Sequence, residues 1–210
     1  MNIVCISDTH GMHRQIRELP YGDVLIHAGD GLGVGSLAEL EDLDDWFAHL
    51  PHRYKILIAG NHDWCFEEQP EAARMLVKHA IYLEDSGCEV EGIRFWGSPW
   101  TPFFRNWAFN LPRGKALAQR WARIPEDTDV LITHRPPWGI LDEAKAGFKL
   151  QGVGCHDLQA RLAQLPLRAH VFGHVHESYG WQRQGKCLFV NASICDIRYK
   201  PLNLPVTFEM

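Results

Sequence analysis

Five short segments of the chain combine carboxylate, amide and imidazole side chains, which are donors for divalent metal ions. The segments are Ser7-Asp8-Thr9-His10, Gly29-Asp30, Gly60-Asn61-His62-Asp63, Thr133-His134 and Gly173-His174-Val175-His176. Manganese, iron, zinc and cobalt all accept carboxylate or amide oxygen together with imidazole nitrogen. One Asp-x-His pair has little predictive value, but five such segments in one chain indicate a metal site.

Two divalent cations at this site would keep a net positive charge, because only two of the donors are carboxylates. Asp8 and Asp30 bring one negative charge each, whereas Asn61 and neutral histidines bring none. The centre is left with a charge of about +2, which attracts an anionic ester and lowers the pKa of bound water from about 15.7 to about 7. The pattern therefore favours hydrolysis of a phosphoric ester by a metal-bridging hydroxide.

His62 and Asp63, which follow the donor Asn61 directly, suggest proton transfer rather than metal binding. We expect His62 to donate a proton to the leaving oxygen or to stabilise it. We expect Asp63 to orient His62 and to keep it protonated. General acid catalysis of this kind typically contributes about 10²–10⁴-fold to a rate. These two residues are the catalytic candidates.

Contacts with a substrate are predicted for residues in and near the motifs. Asn61 and His62 are candidates for contact with the phosphoryl group, and His13 follows the first motif closely. An aromatic cluster is also notable, and its members are Trp96, Trp100, Phe103, Phe104, Trp107 and Phe109. We expect this cluster to pack over the core. The alternative is a wall for a nucleobase or another aromatic leaving group.

The five segments need structural elements that bring them together, and the apolar run before each segment supplies one. Runs with the composition of β-strands cover residues 2–6, 23–28, 54–59, 129–133 and 168–172. Helices are predicted at residues 36–50, 70–79, 115–122 and 156–165. Such alternation implies parallel sheets with helices on their faces. Since strands of one sheet end side by side, donors that are far apart in sequence converge.

Further elements are predicted around these strands and helices. Ser36 and Glu39 form a potential capping box at the start of the helix 36–50. Additional strands are expected at 89–96 and 205–209, and a hairpin at 178–183 and 186–190. Residues 97–112 are rich in proline and aromatic side chains and are expected to form an ordered loop.

Length and composition fit a single domain that covers residues 1–210. Hydrophobic residues make up 46% and charged residues 22%, and the formal net charge is −5, which disfavours a nucleic-acid groove because such a groove needs a basic patch. A signal peptide and a bilayer-spanning apolar stretch are both absent from the sequence, so we expect a cytoplasmic protein without membrane contact. The six cysteines lack a Cys-x-x-Cys pair, and we expect reduced, mostly buried thiols.

The order of the motifs, Asp-x-His, Gly-Asp, Gly-Asn-His-Asp, His and Gly-His-x-His, resembles that of the calcineurin-like metallophosphoesterase superfamily over residues 3–190. The resemblance implies an α/β fold, a four-layer α/β/β/α sandwich of two mixed sheets flanked by helices, with a binuclear metal site at the strand ends. For one metal ion the implied ligands are Asp8, His10 and His176. For the other they are Asn61, His134 and His174. Asp30 is implied to bridge the two ions, and His62 to be a catalytic histidine that binds no metal.

Additional segments resemble the MPPED-type subfamily, which is associated with phosphodiesterase activity, including activity on cyclic nucleotides. These segments cover residues 23–30, 96–102 and 129–134, together with Asn191-Ala192-Ser193. Arg135 departs from the pattern, since the family usually has glycine after the ligand histidine. Its side chain is expected either to contact substrate phosphate or to point to solvent.

The sequence therefore predicts a metal-dependent phosphoesterase that hydrolyses small phosphodiesters, including cyclic nucleotides, with two divalent ions as cofactors. A phosphomonoesterase that uses the same site is the close alternative, and a nuclease fits the acidic charge less well. A non-enzymatic scaffold is less favoured because such a protein would be expected to lose ligands. The ligands leave the metal open among Mn, Fe, Zn and Co, and the oligomeric state is not predicted.

Overall fold

Two large β-sheets lie face to face in the computed structural model, which describes residues 1–147 and 149–210. The strands are β1 (Asn2–Ile6), β2 (Val24–Ala28), β3 (Tyr54–Ile58), β4 (Ile81–Tyr82), β5 (Ser86–Val90), β6 (Ile93–Ser98), β7 (Thr101–Pro102), β8 (Asn110–Leu111), β9 (Val130–Thr133), β10 (Glu143–Ala146), β11 (Lys149–Gly152), β12 (Ala169–Phe172), β13 (Gly180–Gln184), β14 (Cys187–Asn191) and β15 (Val206–Glu209). The α-helices are α1 (Leu37–Ala48), α2 (Cys65–Glu68), α3 (Pro70–Leu76), α4 (Lys115–Trp121) and α5 (His156–Leu162). Short 3₁₀ turns cover His13–Gln15 and His176–Ser178.

The strands that precede the polar motifs run parallel within each sheet. The first sheet has the order β15-β1-β2-β3-β4, and β1, β2 and β3 are parallel. The second sheet has the order β13-β14-β12-β9-β6-β5, and β6, β9, β12 and β14 are parallel. A bridge between Ser7 and Ser193 joins the end of β1 to the chain after β14. The two sheets therefore meet at the edge where these parallel strands end.

Alternation along the strands divides the apolar residues into layers. In β1, Ile3 and Cys5 pack between the two sheets, whereas Val4 and Ile6 pack against α1 and its neighbours. This division follows from the two-residue period of a strand, which sends successive side chains to opposite faces. In the second sheet, Leu131 faces the layer that contains α4 and α5. The architecture is therefore α/β/β/α, and the predicted fold class is confirmed.

Most predicted elements are present within one to three residues of their expected bounds, including the hairpin of β13 and β14. The capping box of α1 is also present. The Ser36 hydroxyl accepts a hydrogen bond from the Glu39 backbone N–H at 3.2 Å, and the Glu39 carboxylate accepts one from the Ser36 N–H at 3.0 Å. These bonds satisfy backbone donors that the first turn of a helix leaves free.

Several regions differ from the prediction. The short elements α2 and β4 were not predicted, and β7 and β8 pair within the segment 97–112 that was expected to be a loop. Two hairpins also differ. The single strand expected at 89–96 is a hairpin of β5 and β6, because the chain reverses at Glu91 and Gly92, which have φ values of 50° and 80°. Glycine adopts this conformation readily, but glutamate rarely does, so the turn carried little sequence signal. The hairpin of β10 and β11 was also not predicted, since Glu, Ala and Lys are depleted in strands.

The cysteines match the expectation for reduced thiols. All six are free, four of them are buried and the other two are partly buried. Across residues 1–147 and 149–210, the helices are all too short or too polar to cross a membrane.

His170 in β12 makes the fold sensitive to acid. Its ring is fully buried, and Nε2 lies 2.8 Å from the Thr133 hydroxyl. Burial lowers the pKa of His170 to about 3, whereas an unfolded histidine has a pKa of about 6.5. The unfolded chain therefore binds more protons below pH 6.5, and stability is lost as the pH falls from about 6.5 towards 3.

Replacing His170 by Gln is expected to weaken this dependence. Between pH 7 and pH 5 the wild-type free energy of unfolding should fall by about 2 kcal/mol more than that of His170→Gln. Denaturant unfolding at the two pH values measures the difference. His49→Gln, at an exposed position, is the control and should behave like the wild type. An equal pH dependence in wild type and His170→Gln would contradict the prediction.

Candidate metal centre

The predicted donors come together because each follows a strand that ends at the shared edge. Asp8 follows β1, Asp30 follows β2 and Asn61 follows β3. His134 follows β9 and His174 follows β12 in the second sheet. The loops are joined by backbone hydrogen bonds, among them the bond from the Asp8 N–H to the Gly29 carbonyl at 2.9 Å. Both sheets therefore supply donors to one site.

Four of the donor residues have a left-handed backbone conformation. Their φ values are 52° at Asp8, 45° at His10, 51° at Asp30 and 68° at His174. Non-glycine residues pay roughly 1–2 kcal/mol for this conformation, somewhat less for Asp and His. It turns the chain sharply at the strand end, so that the side chain projects into the edge between the sheets. Local strain of this kind is concentrated at functional sites.

Two glycines allow the loops to approach one another closely. A Cβ atom at Gly173 would collide with the carboxylate of Asp8 and the side chain of Ser7. A Cβ atom at Gly60 would collide with the backbone nitrogen and the carboxylate of Asp30. Each glycine stands directly before a predicted donor and beside a donor from another loop. Glycine is therefore required at both positions, because any side chain would clash with the neighbouring loop.

The first group of donors contains Asp8, His10 and His176, whose ligand atoms all lie within 4.8 Å of one another. The Nε2 atoms of His10 and His176 are 3.4 Å apart. Asp8 Oδ1 lies 3.3 Å from His176 Nε2. These are the three residues that the family resemblance implied for one metal ion, and they could hold a divalent cation.

The second group contains Asp30, His134 and His174, which also lie within 4.8 Å of one another. The amide oxygen of Asn61 is 2.9 Å from His134 Nε2 and 2.7 Å from His174 Nδ1. Asp30 Oδ2 lies 3.3 Å from His134 Nε2 and 3.9 Å from His10 Nε2. Asp30 therefore stands between the two groups, in the position expected of a shared ligand.

Neighbouring groups hold the donors in place. His134 Nδ1 donates to the Ala28 carbonyl at 3.0 Å, and His176 Nδ1 donates to the Asp196 carbonyl at 2.9 Å. A carbonyl only accepts, so Nδ1 of each ring carries a proton and Nε2 faces the cluster, where it can bind a metal ion once its own proton is displaced. Asp8 accepts a hydrogen bond from the Ser193 hydroxyl at 2.9 Å. The Asn191-Ala192-Ser193 segment thus supports a donor.

The charges of the cluster also suit a cation. Burial by itself would raise the pKa of Asp8 and of Asp30. The hydrogen bond and charge of His176 instead hold the pKa of Asp8 well below its usual value, and His134 does the same for Asp30. Burial opposes protonation of His134 and His176, but the two carboxylates raise the pKa of each ring to about 9. The two buried carboxylates thus keep protons on the adjacent imidazoles. A divalent cation can displace these protons and bind to the same groups.

His62 lies beside both groups, and its ring is oriented by a backbone carbonyl. Its Nδ1 donates to the Gly33 carbonyl at 3.0 Å, which leaves Nε2 for the cavity. His10, Asp30 and His62 also have ligand atoms within 4.8 Å, so distance alone does not separate His62 from the metal donors. With Nδ1 hydrogen-bonded to a carbonyl and Nε2 left for the cavity, the ring is suited to exchange a proton with a bound substrate.

The contacts of Asp63 differ from the predicted ones. Its carboxylate accepts hydrogen bonds from the backbone N–H groups of Gly60 at 2.7 Å and Leu32 at 2.9 Å. It therefore ties together the loops after β2 and β3, and the expected role of orienting the His62 ring belongs to the Gly33 carbonyl. The sequence could not reveal this, since every residue carries a backbone carbonyl.

Glu39 connects the helix cap to the site. In addition to its bond with Ser36, the Glu39 carboxylate accepts hydrogen bonds from the N–H groups of Gly33 and Val34, both at 3.2 Å. The same Gly33 holds His62 through its carbonyl. Glu39, which was predicted only as part of a capping box, therefore fixes the loop that orients His62.

A cavity of about 370 Å³ opens at the donor groups. Asn61, His62 and Arg135, three of the four residues predicted to contact substrate, line it. The fourth, His13, is buried elsewhere, with Nε2 3.0 Å from Asp42 Oδ2. The expected contact of His13 with substrate therefore has no support in the structure.

Arg135 is buried rather than directed to solvent. Its Nε and Nη2 atoms donate to the Val153 carbonyl at 3.0 and 2.8 Å, and Nη1 lies 3.0 Å from His174 Nε2. Burial, with a smaller effect of Arg113, lowers the pKa of Arg135 to about 10. The guanidinium therefore keeps its charge at neutral pH.

The aromatic cluster divides into two parts. Phe109 is buried and packs against the half-buried Trp100 at a ring separation of 5.5 Å, as the packing interpretation predicts. Phe104 and Trp107 line the cavity instead, together with Tyr199. Tyr199, which was not among the predicted site residues, has a φ of 56°, and its ring lies 4.7 Å from that of His10. The cavity thus has an aromatic wall beside the donor groups.

Comparison with known proteins agrees with this geometry. The family model described as calcineurin-like phosphoesterase matches residues 1–178. The chain is 42% identical over 231 residues to human metallophosphoesterase domain-containing protein 1, covering 99% of this chain and 70% of that protein. It is 36% identical over 222 residues to UPF0046 protein K07C11.7 of Caenorhabditis elegans, covering 99% of this chain and 74% of that protein.

A solved structure shows the same fold at low sequence identity. The protein TT1561 of Thermus thermophilus superposes with a TM-score of 0.63 at 14% identity, covering 99% of this chain and 97% of that chain. That likeness concerns the fold alone. The family match over residues 1–178 and the similarity to the human protein establish that the chain belongs to the calcineurin-like phosphoesterase family and is a hydrolase that acts on phosphoric ester bonds.

Proposed function

We propose that this enzyme hydrolyses small phosphodiesters, including cyclic nucleotides, at a centre of two divalent metal ions. The observation that carries the proposal is the position of Asp30 between two complete groups of donors. The cavity extends beyond these groups to Phe104, Trp107 and Tyr199. It therefore has room for ester substituents larger than a phosphate, and for a nucleobase stacked on an aromatic ring.

In this proposal the ligands of each ion follow the donor groups. Asp8, His10 and His176 would hold one ion. Asn61, His134 and His174 would hold the other. Asp30 would contact both. When bound, the two ions supply an activated water as the nucleophile and offset the negative charge of the phosphoryl oxygens. Imidazole, amide and carboxylate donors suit Mn, Fe, Zn and Co alike.

The chain itself supplies proton transfer and positioning. Gly33 holds the His62 ring with Nε2 towards the cavity, so a proton on Nε2 can pass to the leaving oxygen of the ester. The His62 backbone N–H donates to Asp30 Oδ1 at 2.7 Å, which fixes His62 relative to the shared ligand. The aromatic wall excludes water from one side of the substrate.

One substrate panel tests the proposal and its alternative, a phosphomonoesterase. Metal-reconstituted protein is expected to hydrolyse bis-aryl phosphates and 2′,3′- or 3′,5′-cyclic nucleotides with higher kcat/KM than aryl phosphate monoesters. A preference for monoesters throughout would favour the phosphomonoesterase. Asp30→Ala is the matched control: it should lose activity while its circular dichroism stays that of the wild type. Retained activity in Asp30→Ala would contradict the shared-ligand role.

Replacing His62 by Ala is expected to slow substrates with poor leaving groups most. For an alkyl ester the loss of kcat should be about 10²–10⁴-fold, because the leaving alkoxide needs the proton. For a p-nitrophenyl ester, whose leaving group is stable as an anion, the loss should be much smaller. The metal content of the variant should equal that of the wild type. Equal losses on both substrates would reject the role of His62 as a general acid.

Glu39→Ala is expected to lower turnover through His62, by up to about 100-fold if the ring is misplaced by an ångström. The loss should largely disappear when Glu39→Ala is combined with His62→Ala, since the loop would no longer have a ring to orient. Glu41→Ala, at an exposed position on the same helix, should leave turnover unchanged. Additive effects of Glu39→Ala and His62→Ala would show that Glu39 does not act through His62.

A further inference from the structure

Two arginines line the cavity, and within the described ranges neither forms an ion pair with a carboxylate. Arg113 Nη1 donates to the Gly154 carbonyl at 3.2 Å, and Arg135 donates to the neighbouring Val153 carbonyl. The two guanidinium groups therefore hold adjacent residues of one loop, and both face the cavity. They form a cationic pair that the ligand assignment does not use.

The burial of Arg135 is unusual for a purely structural arginine. Only 6% of the residue is exposed, and a buried charge is costly unless an opposite charge pairs with it. Its partners are the neutral carbonyl of Val153 and the ring of His174. The buried Asp142 carboxylate favours the charge of Arg135 from beyond ion-pair distance, but burial still lowers the pKa of Arg135, and an anion in the cavity would offset the charge directly.

Unused donors are available for such an anion. A guanidinium has five N–H groups, and Arg135 directs three of them to Val153 and His174. Arg113 directs one to Gly154 and is otherwise exposed. The remaining N–H groups of the pair suit the oxygens of a phosphate, which arginine binds with two parallel hydrogen bonds.

The charge balance of the cavity indicates that this phosphate is not the reacting one. With two divalent ions, Asp8 and Asp30 leave the centre at about +2, and a phosphodiester brings only one negative charge. The arginines add two further positive charges, against one carboxylate in the lining outside the metal donors, that of Glu177. A substrate with a single phosphodiester group would leave the arginine side of the cavity uncompensated.

We propose that Arg113 and Arg135 bind a second phosphate group of the substrate, so that the enzyme acts on nucleotides that carry a phosphomonoester in addition to the reacting phosphodiester. This inference rests on the proposed function and narrows its substrate class. The aromatic wall of Phe104, Trp107 and Tyr199 holds the base, the metal donors hold the diester, and the arginine pair holds the terminal phosphate.

Binding of product-like nucleotides tests the inference independently of turnover. The dissociation constants of metal-loaded protein for thymidine 5′-phosphate and thymidine 3′,5′-bisphosphate are measured by calorimetry. The wild type is expected to bind the bisphosphate about tenfold more tightly than the monophosphate, because one or two charge-assisted hydrogen bonds provide a gain of this size. Arg113→Gln should reduce the ratio of the two constants towards one. Arg113 is chosen because it is exposed, so its replacement leaves the buried Arg135 in place.

Arg183→Gln is the control for net charge, since Arg183 lies on β13 and does not line the cavity. It should keep the wild-type ratio. Equal dissociation constants for the two nucleotides in the wild type would overturn the inference, and so would a ratio that survives in Arg113→Gln. A failure of phosphodiester hydrolysis is a separate outcome. It would reject the proposed function, but the ratio of the two dissociation constants could still be measured.

Discussion

The site depends on two buried, ionised carboxylates that accept hydrogen bonds from loops other than their own. Asp8, after β1, accepts the backbone N–H of His174, from the second sheet, at 2.9 and 3.0 Å. Asp30, after β2, accepts the N–H of His62 at 2.7 Å. These charge-assisted bonds are stronger than ordinary backbone bonds. They offset the left-handed backbone at the strand ends and fix where the imidazole rings stand.

The donors of the site could be predicted because residue type and strand position together carry the information. Asp8, Asp30 and His134 are polar residues directly after apolar strands, and parallel strands of one sheet end at a common edge. The orientation of His62 could not be predicted, because it depends on the carbonyl of Gly33, and backbone groups are the same in every residue. The hairpin at Glu91 could not be predicted either, because it depends on a positive φ that glutamate rarely adopts.

Loops around the site were the least predictable part of the chain. Asp63 was expected to act on its neighbour His62, but it instead satisfies backbone donors in two loops. His13 follows the first motif closely, yet the 3₁₀ turn His13–Gln15 places its ring against Trp46. Proximity in sequence is thus a poor guide to proximity in space once the chain has left a strand, because one turn reverses the direction of the side chain.

The origin of the donors in two different sheets has a thermodynamic consequence. An ion held by Asp8, His10 and His176 joins the first sheet to the loop after β12, so it acts as a reversible crosslink between the two halves of the chain. Such a crosslink differs from a disulfide in that its strength follows the free ion concentration. Above the dissociation constant, each tenfold rise in free ion adds about 1.4 kcal/mol to the free energy of unfolding. Metal supply would then set the equilibrium stability of the folded protein as well as its turnover.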